Sequence, residues 1–342
     1  MEDGKVKSIK ELNDENCWKD MADALEEGAD SKEIISTDKC KIYRPWEKDN
    51  NNNWLYLQCD EYIVNNQNGP ENKPVPIKKN VQLTDQNKFY FCLEPTPWVG
   101  GWNKVKPKIA ILSLNPGIDK KERIFDNSFE NSLKRRSYQE LWANNLKGNI
   151  TFADVLFSTV PKNGEAKEFI HLWGEEGREY WIKHLLPLYM EYTTNTKHKF
   201  DDDNQKKNFI NILLNSNEET IRHDYNDVIS FFDKIITIEL FPYHSCNGER
   251  IELYEDYKDL KNARRAFTRD LIMYLMSEET TFIITRSVKK WKELVPKFDN
   301  YKFVSVSNPQ NTYITKDNCC IIKGFDDLVK ALKNNSKHYP QL

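Results

Sequence analysis

Long hydrophobic runs are missing: no stretch approaches the roughly 20 apolar residues that a membrane-spanning helix requires. The opening residues Met1, Glu2, Asp3, Gly4 and Lys5 lack the apolar core of a secretion signal, so a soluble, cytoplasmic protein is expected. The seven cysteines are an odd number without a Cys-x-x-Cys pair, which argues against a disulfide framework and against a zinc ribbon. Scattered reduced thiols are the stronger reading, and an iron–sulfur set from Cys17, Cys40, Cys59 and Cys92 the weaker one. There is no Walker A loop, no dinucleotide-binding glycine fingerprint, no serine elbow and no His-Glu-x-x-His. Nucleotide-fuelled, hydride-transfer and zinc-protease chemistries thereby lose their usual support, and neither a cofactor nor a metal is expected. A repeated unit is lacking as well. The net charge of -3 does not advertise a nucleic-acid binder. Binding needs only one basic face, however, and basic clusters at residues 104–108, 120–123, 134–136, 264–269 and 286–292 include several that follow strand ends.

What the chain does contain is an α/β rhythm. Ile109, Ala110, Ile111, Leu112, Ser113 and Leu114 form a nearly unbroken apolar run that stops at Asn115, Pro116 and Gly117. Such a run reads as a strand buried on both faces inside a parallel sheet. The turn lies at its carboxyl end, where open α/β sheets place their ligands. Further strands are predicted over 235–240, 282–284 and 301–306, with helices over 138–146, 179–192, 263–276, 288–295 and 325–333. Strand–helix–strand units imply right-handed crossovers and strand ends that converge on one edge. The expected fold is α/β, a three-layer α/β/α arrangement on a four-stranded parallel sheet. Residues 1–88 read as an N-terminal extension packed on the core, with a helix over 18–27 and a strand or hairpin over 54–64. Asparagine-rich loops are expected at 50–53 and 65–76. Residues 89–342 form the main domain, opening with a rigid aromatic loop over 89–102. A helical insertion occupies about 130–226, with an exposed loop at 193–208.

Two Asn-Pro turns bracket this domain, Asn115-Pro116 after the first core strand and Asn308-Pro309 after the last. With them the sequence resembles the uracil-DNA glycosylase superfamily. Leu114, Asn115, Pro116 and Gly117 match the end of the first motif, Gly-Ile-Asn-Pro-Gly in the mismatch-specific branch. Asn308 and Pro309 match the start of the second motif, and Gln310 stands where the family usually has Ser. The resemblance spans about residues 89–335 and implies a monofunctional hydrolase that cuts an N-glycosidic bond and leaves an abasic site.

That chemistry takes the target base out of the stack and reads its Watson–Crick edge in a pocket. The sugar acquires oxocarbenium character, water attacks the anomeric carbon, and donors stabilise charge on the leaving base. The resemblance implies that Asn115 orients the water and that Asn308 donates to the base oxygen. Asp119 is a candidate assisting carboxylate. Phe125, or else Phe129, is a candidate to stack on the flipped base near Gly117, the alternative being burial in the core.

Glu239 stands at a strand end where the family usually has Asn. An ionised carboxylate only accepts hydrogen bonds, so it suits the amino group of a cytosine-type base over the O4 of uracil. Ordinary cytosine is excluded as a target because the host genome would be destroyed. A hydroxymethylated or glucosylated cytosine of phage DNA satisfies both constraints, and some prokaryotic relatives are thought to serve phage defence. The alternative for Glu239 is an ion pair with Arg264 or Arg286. Tyr243 and His244 are candidate pocket residues, His244 polarising the leaving group or serving structure alone. Arg286, Ser287, Lys289, Ser307 and Asn311 are candidate phosphate contacts. Gln310, Asn311, Thr312 and Tyr313 form a candidate wedge, more polar than usual. DNA is the expected partner. Repair of uracil or mismatched bases is one rival reading, and a catalytically silent nucleic-acid-binding module of the same fold is another.

Overall fold

The computed structural model describes residues 6–26, 35–36, 40–42, 55–57, 89–90, 96–114, 132–162, 165–193, 200, 202–242, 244–245, 263–301, 303–308, 313–319 and 324–333. Five strands build its central sheet: β1 (Trp98–Val99), β2 (Ile109–Ser113), β3 (Ile235–Glu239), β4 (Thr281–Ile284) and β5 (Phe303–Ser305). Their order is β5-β4-β2-β3-β1. β2 through β5 run parallel, and β1 pairs antiparallel with β3, Trp98 opposite Ile238. The sheet is therefore mixed and five-stranded, not the all-parallel four-stranded sheet expected from sequence. β1 escaped notice because two residues among prolines and glycines offer no alternation to read.

The four parallel strands are as apolar as their sequences require. Every residue of β3, β4 and β5 is buried, as are the first four of β2. Strands covered on both faces select continuous Ile, Val and Phe in place of alternation. Besides its pairing with β3, the edge strand is held by one residue, Asn145, which is fully buried. The Asn145 carbonyl accepts from the Trp98 indole at 2.7 Å, its side-chain amide donates to the Trp98 carbonyl at 2.7 Å, and its Oδ1 accepts from the Gly100 amide at 3.0 Å. Gly100 has φ 107, and a Cβ there would lie 2.8 Å from the Ile235 carbonyl oxygen, so a side chain would force β1 away from β3.

Helices supply the rest of the core. Ser132–Leu146, Phe152–Phe157, Glu175–Tyr192, Asp203–Asn215, Glu218–Asp224 and Asn226–Phe232 fill the connection from β2 to β3. A hairpin of Thr159–Lys162 and Glu165–His171 interrupts them. The loop expected at 193–208 is partly helix, since Asp202 caps Asp203–Asn215 by accepting from the Gln205 amide. Its charged first turn hid the helix, whose buried face (Phe209, Ile210, Leu213, Leu214) begins later. Helices Ala263–Ser277, Val288–Leu294 and Phe325–Lys333 follow as expected to within a residue.

Part of the N-terminal segment belongs to the same core. Ile9–Glu15 is closed by a capping box from Ser8 and Glu11, and Lys7 reaches Asp270 at 2.7 Å. Leu12, Trp18, Met21 and Ala22 are completely buried. Burying Leu12 and Met21 contributes about 1.5–3 kcal/mol each. Leu55–Leu57 falls inside the predicted hairpin and pairs antiparallel with Cys40–Ile42, which pairs with Ile35–Ser36. The loops expected at 50–53 and 65–76 lie outside the described residues. No described helix is long and apolar enough to cross a membrane.

Candidate functional site

Strand order marks one place on the sheet. The chain leaves β2 for β3 on one side, whereas β4 leads to β5 on the other. In an open α/β sheet, ligands settle outside the carboxyl ends of the two strands where this direction reverses, here β2 and β4. At that point Ser113 Oγ lies 3.4 Å from Thr285 Oγ1. The Thr285 amide and hydroxyl both donate to the Leu112 carbonyl at 3.0 Å, which locks the two ends together.

Glu239 is in register with Ser113 on the neighbouring strand. Its backbone is firmly held: the Glu239 amide donates to the Pro97 carbonyl at 2.9 Å, and the Leu240 amide to the Ser113 carbonyl at 3.1 Å. The side chain is different. Glu239 is 6% exposed, and its Oε2 is buried without a hydrogen-bond partner among the described residues. Burial pushes this carboxyl up to about 8, against the opposing charge of Arg286. It is therefore largely protonated at neutral pH. A buried polar group left unmatched costs about 1–3 kcal/mol, a loss that a complementary ligand would recover.

The ion pair considered for Glu239 takes another form. Arg264 is turned to structure, donating to the Leu240 carbonyl at 3.2 Å with its guanidinium 4.7 Å from the Phe241 ring centroid. Arg286 is exposed at the end of β4, where its charge acts on Glu239 from a distance. Protonation also revises the sequence expectation. The acceptor-only character assigned to Glu239 holds only above about pH 8; below it the group both donates and accepts.

Next to Arg286, Ser287 has φ 59 and ψ 42. A left-handed backbone on a non-glycine residue stores about 1–2 kcal/mol, and such strain gathers at functional sites. Lys289 is exposed on the helix that follows. At the end of β5, Ser307 and Asn308 are exposed. Buried Asn318 holds them: its carbonyl accepts from the Ser307 amide at 2.8 Å, its Oδ1 accepts from the Asn308 amide at 3.0 Å, and its Nδ2 donates to the Tyr313 carbonyl at 2.9 Å. Sequence reasoning passed over Asn318, although a buried Asn that closes a loop is a familiar device.

The strand ends thus place Arg286 where its charge acts on Glu239, with Ser287 beside it and Lys289 one turn beyond, while Asn308 stands at the end of β5. Asn115, Gly117, Asp119, Phe125, Phe129, Tyr243, Gln310, Asn311 and Thr312 lie outside the described residues. His244 is described for its backbone, which pairs with Tyr90, and its side-chain role lies outside what is described. Two residues not foreseen from sequence are Tyr180 and His184 on Glu175–Tyr192. His184 stacks on Tyr180 at 3.8 Å and on Tyr313 at 4.3 Å between ring centroids. Their spacing of four along a helix is the signal that could have found them. Among the described residues no cluster of His, Cys, Asp and Glu could hold a metal ion.

Comparisons with models of known families, with curated proteins and with solved structures find no match.

Proposed function

We propose that the protein is a monofunctional DNA glycosylase that hydrolyses the N-glycosidic bond of a flipped, modified cytosine. The observation that carries this reading is Glu239, a buried carboxyl with an unmatched oxygen beside the crevice of an open α/β sheet. A neutral carboxyl group offers one O–H donor and one carbonyl acceptor side by side. Cytosine offers the complementary pair along its Watson–Crick edge, N3 as acceptor and the N4 amino group as donor. The Glu239 O–H then points at N3, and its carbonyl accepts from N4.

The same proton assists departure. As the C1′–N1 bond breaks, its electron pair passes into the base and the Glu239 proton moves to N3, so the base leaves neutral. Water, oriented by Asn115 as the family resemblance implies, adds its oxygen to C1′ and releases a proton that restores Glu239 through solvent. Asn308 donates to the base oxygen from the far side. β5 stands three strand spacings from β3, roughly 14 Å. Side chains reaching inward from both edges leave room for one base over β2 and β4. Arg286 and Lys289 take the phosphates.

The finer fold also belongs to this reading. Right-handed crossovers from the observed strand order put the β2–β3 connection on one face and the β3–β4 and β4–β5 connections on the other. That supports a three-layer α/β/α arrangement of the uracil-DNA glycosylase kind, with β1 added at an edge. A neutral Glu239 also pairs with the O4 and N3–H of uracil, donating to the first and accepting from the second. Repair of uracil or mismatched bases is thereby favoured as the second reading.

The test uses duplexes carrying uracil, 5-hydroxymethylcytosine or glucosylated 5-hydroxymethylcytosine, treated with alkali after incubation. Strand cleavage confined to the modified cytosines is the expected result. Cleavage at uracil moves the protein to repair. Intact strands throughout, with binding retained, reduce it to a nucleic-acid-binding module.

A further inference from the structure

We propose that Asn318 is a positioning residue for Asn308, and that Tyr313 and His184 anchor it to the insertion helix Glu175–Tyr192. The inference rests on the glycosylase reading above, in which Asn308 donates to the base oxygen, and adds what holds that donor still.

Asn318 is 8% exposed and grips the chain on both sides of the stretch from Asn308 to Tyr313. On the β5 side, its carbonyl accepts from the Ser307 amide at 2.8 Å and from the Ser307 hydroxyl at 3.1 Å, and its Oδ1 accepts from the Asn308 amide at 3.0 Å. On the far side, its Nδ2 donates to the Tyr313 carbonyl at 2.9 Å. An amide side chain suits this place because one end must accept while the other donates. The main chain of Asn318 is fixed in turn. Its N–H donates to the carbonyl and the hydroxyl of Thr315, both at 3.2 Å, and Cys319 bridges Val306 at the end of the sheet.

A second link runs to the insertion. Tyr313 and Ile314 both settle on His184. The Tyr313 ring stacks on the imidazole at 4.3 Å and 25°, and the Ile314 amide donates to the His184 carbonyl at 3.1 Å. Ile314 is itself in the core. His184 Nδ1 lies 2.6 Å from the Tyr180 carbonyl one turn earlier and so carries the hydrogen, which holds the ring in its plane. The sequence explains why a helical carbonyl meets a donor from outside. Pro187 lies within this helix. It has no N–H to give, and its ring bends the turn before it, around Lys183 and His184.

Contacts therefore run without a break from helix Glu175–Tyr192 through Tyr313 and Asn318 to Asn308. Asn308 is exposed, so its place depends on what grips its backbone. A donor aimed at charge growing on a leaving base is effective when it is fixed beforehand, because nothing then has to reorganise as the bond breaks.

The experiment pairs amide hydrogen exchange with excision kinetics. Tyr313→Ala, a change on an exposed side chain, should speed exchange at Ser307 and Asn308 about tenfold, while β2 and β3 keep parental rates. Tyr313→Phe, which keeps the ring, should exchange as the parent does. Asn318→Ala should lower kcat on the modified cytosine about tenfold to a hundredfold with KM little changed. Tyr313→Ala should lower kcat by a smaller factor, so the kinetic test stands even where Asn318→Ala does not fold. Combined with Asn308→Ala, neither variant should be slower than Asn308→Ala alone. Parental exchange in Tyr313→Ala would overturn the anchor. Faster exchange with parental kcat, or losses that multiply in the double variants, would overturn the positioning role. If the parent excises nothing, the glycosylase reading and the positioning role fall together, and exchange in Tyr313→Ala still decides the anchor.

Discussion

Two buried ionisable groups make opposite statements about the regions that hold them. Arg178, in the helical insertion, is 2% exposed and bonded to three main-chain carbonyls. Its Nε donates to the Leu156 carbonyl at 2.8 Å, and one terminal nitrogen donates to the Leu214 and Leu213 carbonyls at 3.1 and 3.3 Å. These carbonyls close the ends of two helices, so a single guanidinium staples Phe152–Phe157 and Asp203–Asn215 to Glu175–Tyr192. Burial lowers Arg178 to about 10, and burial together with the Arg178 charge takes the nearby His171 down to about 3. Glu239, at the carboxyl end of β3, is buried almost as deeply, with one oxygen unmatched among the described residues. A buried ionisable group whose hydrogen bonds go to helix-end carbonyls serves the fold. One whose partner is missing is poised for a ligand.

This contrast breaks most visibly at Arg178. Arg178→Met strips three buried carbonyls of their donor and should destabilise the protein by about 3 kcal/mol in urea unfolding, with excision per folded molecule retained. A loss below about 1 kcal/mol would mean the staple is redundant. Glu239→Gln should do the opposite. Stability holds or rises, while excision of modified cytosine falls about a hundredfold, because the amide keeps the hydrogen-bonding shape but has no proton to give. Parental rates in that variant would remove Glu239 from the chemistry.

A pH series sharpens the same point. In the unfolded chain Glu239 ionises near its ordinary value of 4.5, whereas in the fold it keeps its proton up to about 8. Between those values the folded state binds the extra proton, so stability declines as pH rises, by up to about 1.4 kcal/mol per unit. The decline stops above about 8, where both states are ionised, and Glu239→Gln should abolish it. Parallel stability curves for parent and variant from pH 5 to 8 would contradict the raised carboxyl. The smallest effect belongs to Ser287, whose left-handed backbone strains the sheet edge. Ser287→Gly should stabilise by about 1 kcal/mol in thermal unfolding. No gain would show that the Ser287 side chain offsets its own strain.

The core strands were legible because they are buried on both faces, which demands continuous apolar runs such as Ile109–Ser113 and Ile235–Glu239. The helices Ala263–Ser277 and Phe325–Lys333 were legible through their periodicity. β1 was not, since Trp98 and Val99 are positioned by Asn145, nearly fifty residues away in sequence. Within the candidate site, Glu239 and Arg286 could be named from their places at strand ends. Tyr180 and His184 were legible only as helix neighbours four residues apart, because their stack with Tyr313 joins an insertion helix to a loop after the last strand.

By itself, then, the sequence determined the α/β class, four parallel strands and an acidic residue at one strand end. Those properties are local, written in runs and periods of a few residues. Only the tertiary structure decided that burial raises the Glu239 carboxyl to about 8. It decided as well that Arg264 serves the Leu240 carbonyl, and that the strand order reverses direction between β2 and β4. The reason is physical. A carboxyl group's proton affinity depends on the water removed around it and on charges brought near it through space, and neither is a property of its neighbours in sequence.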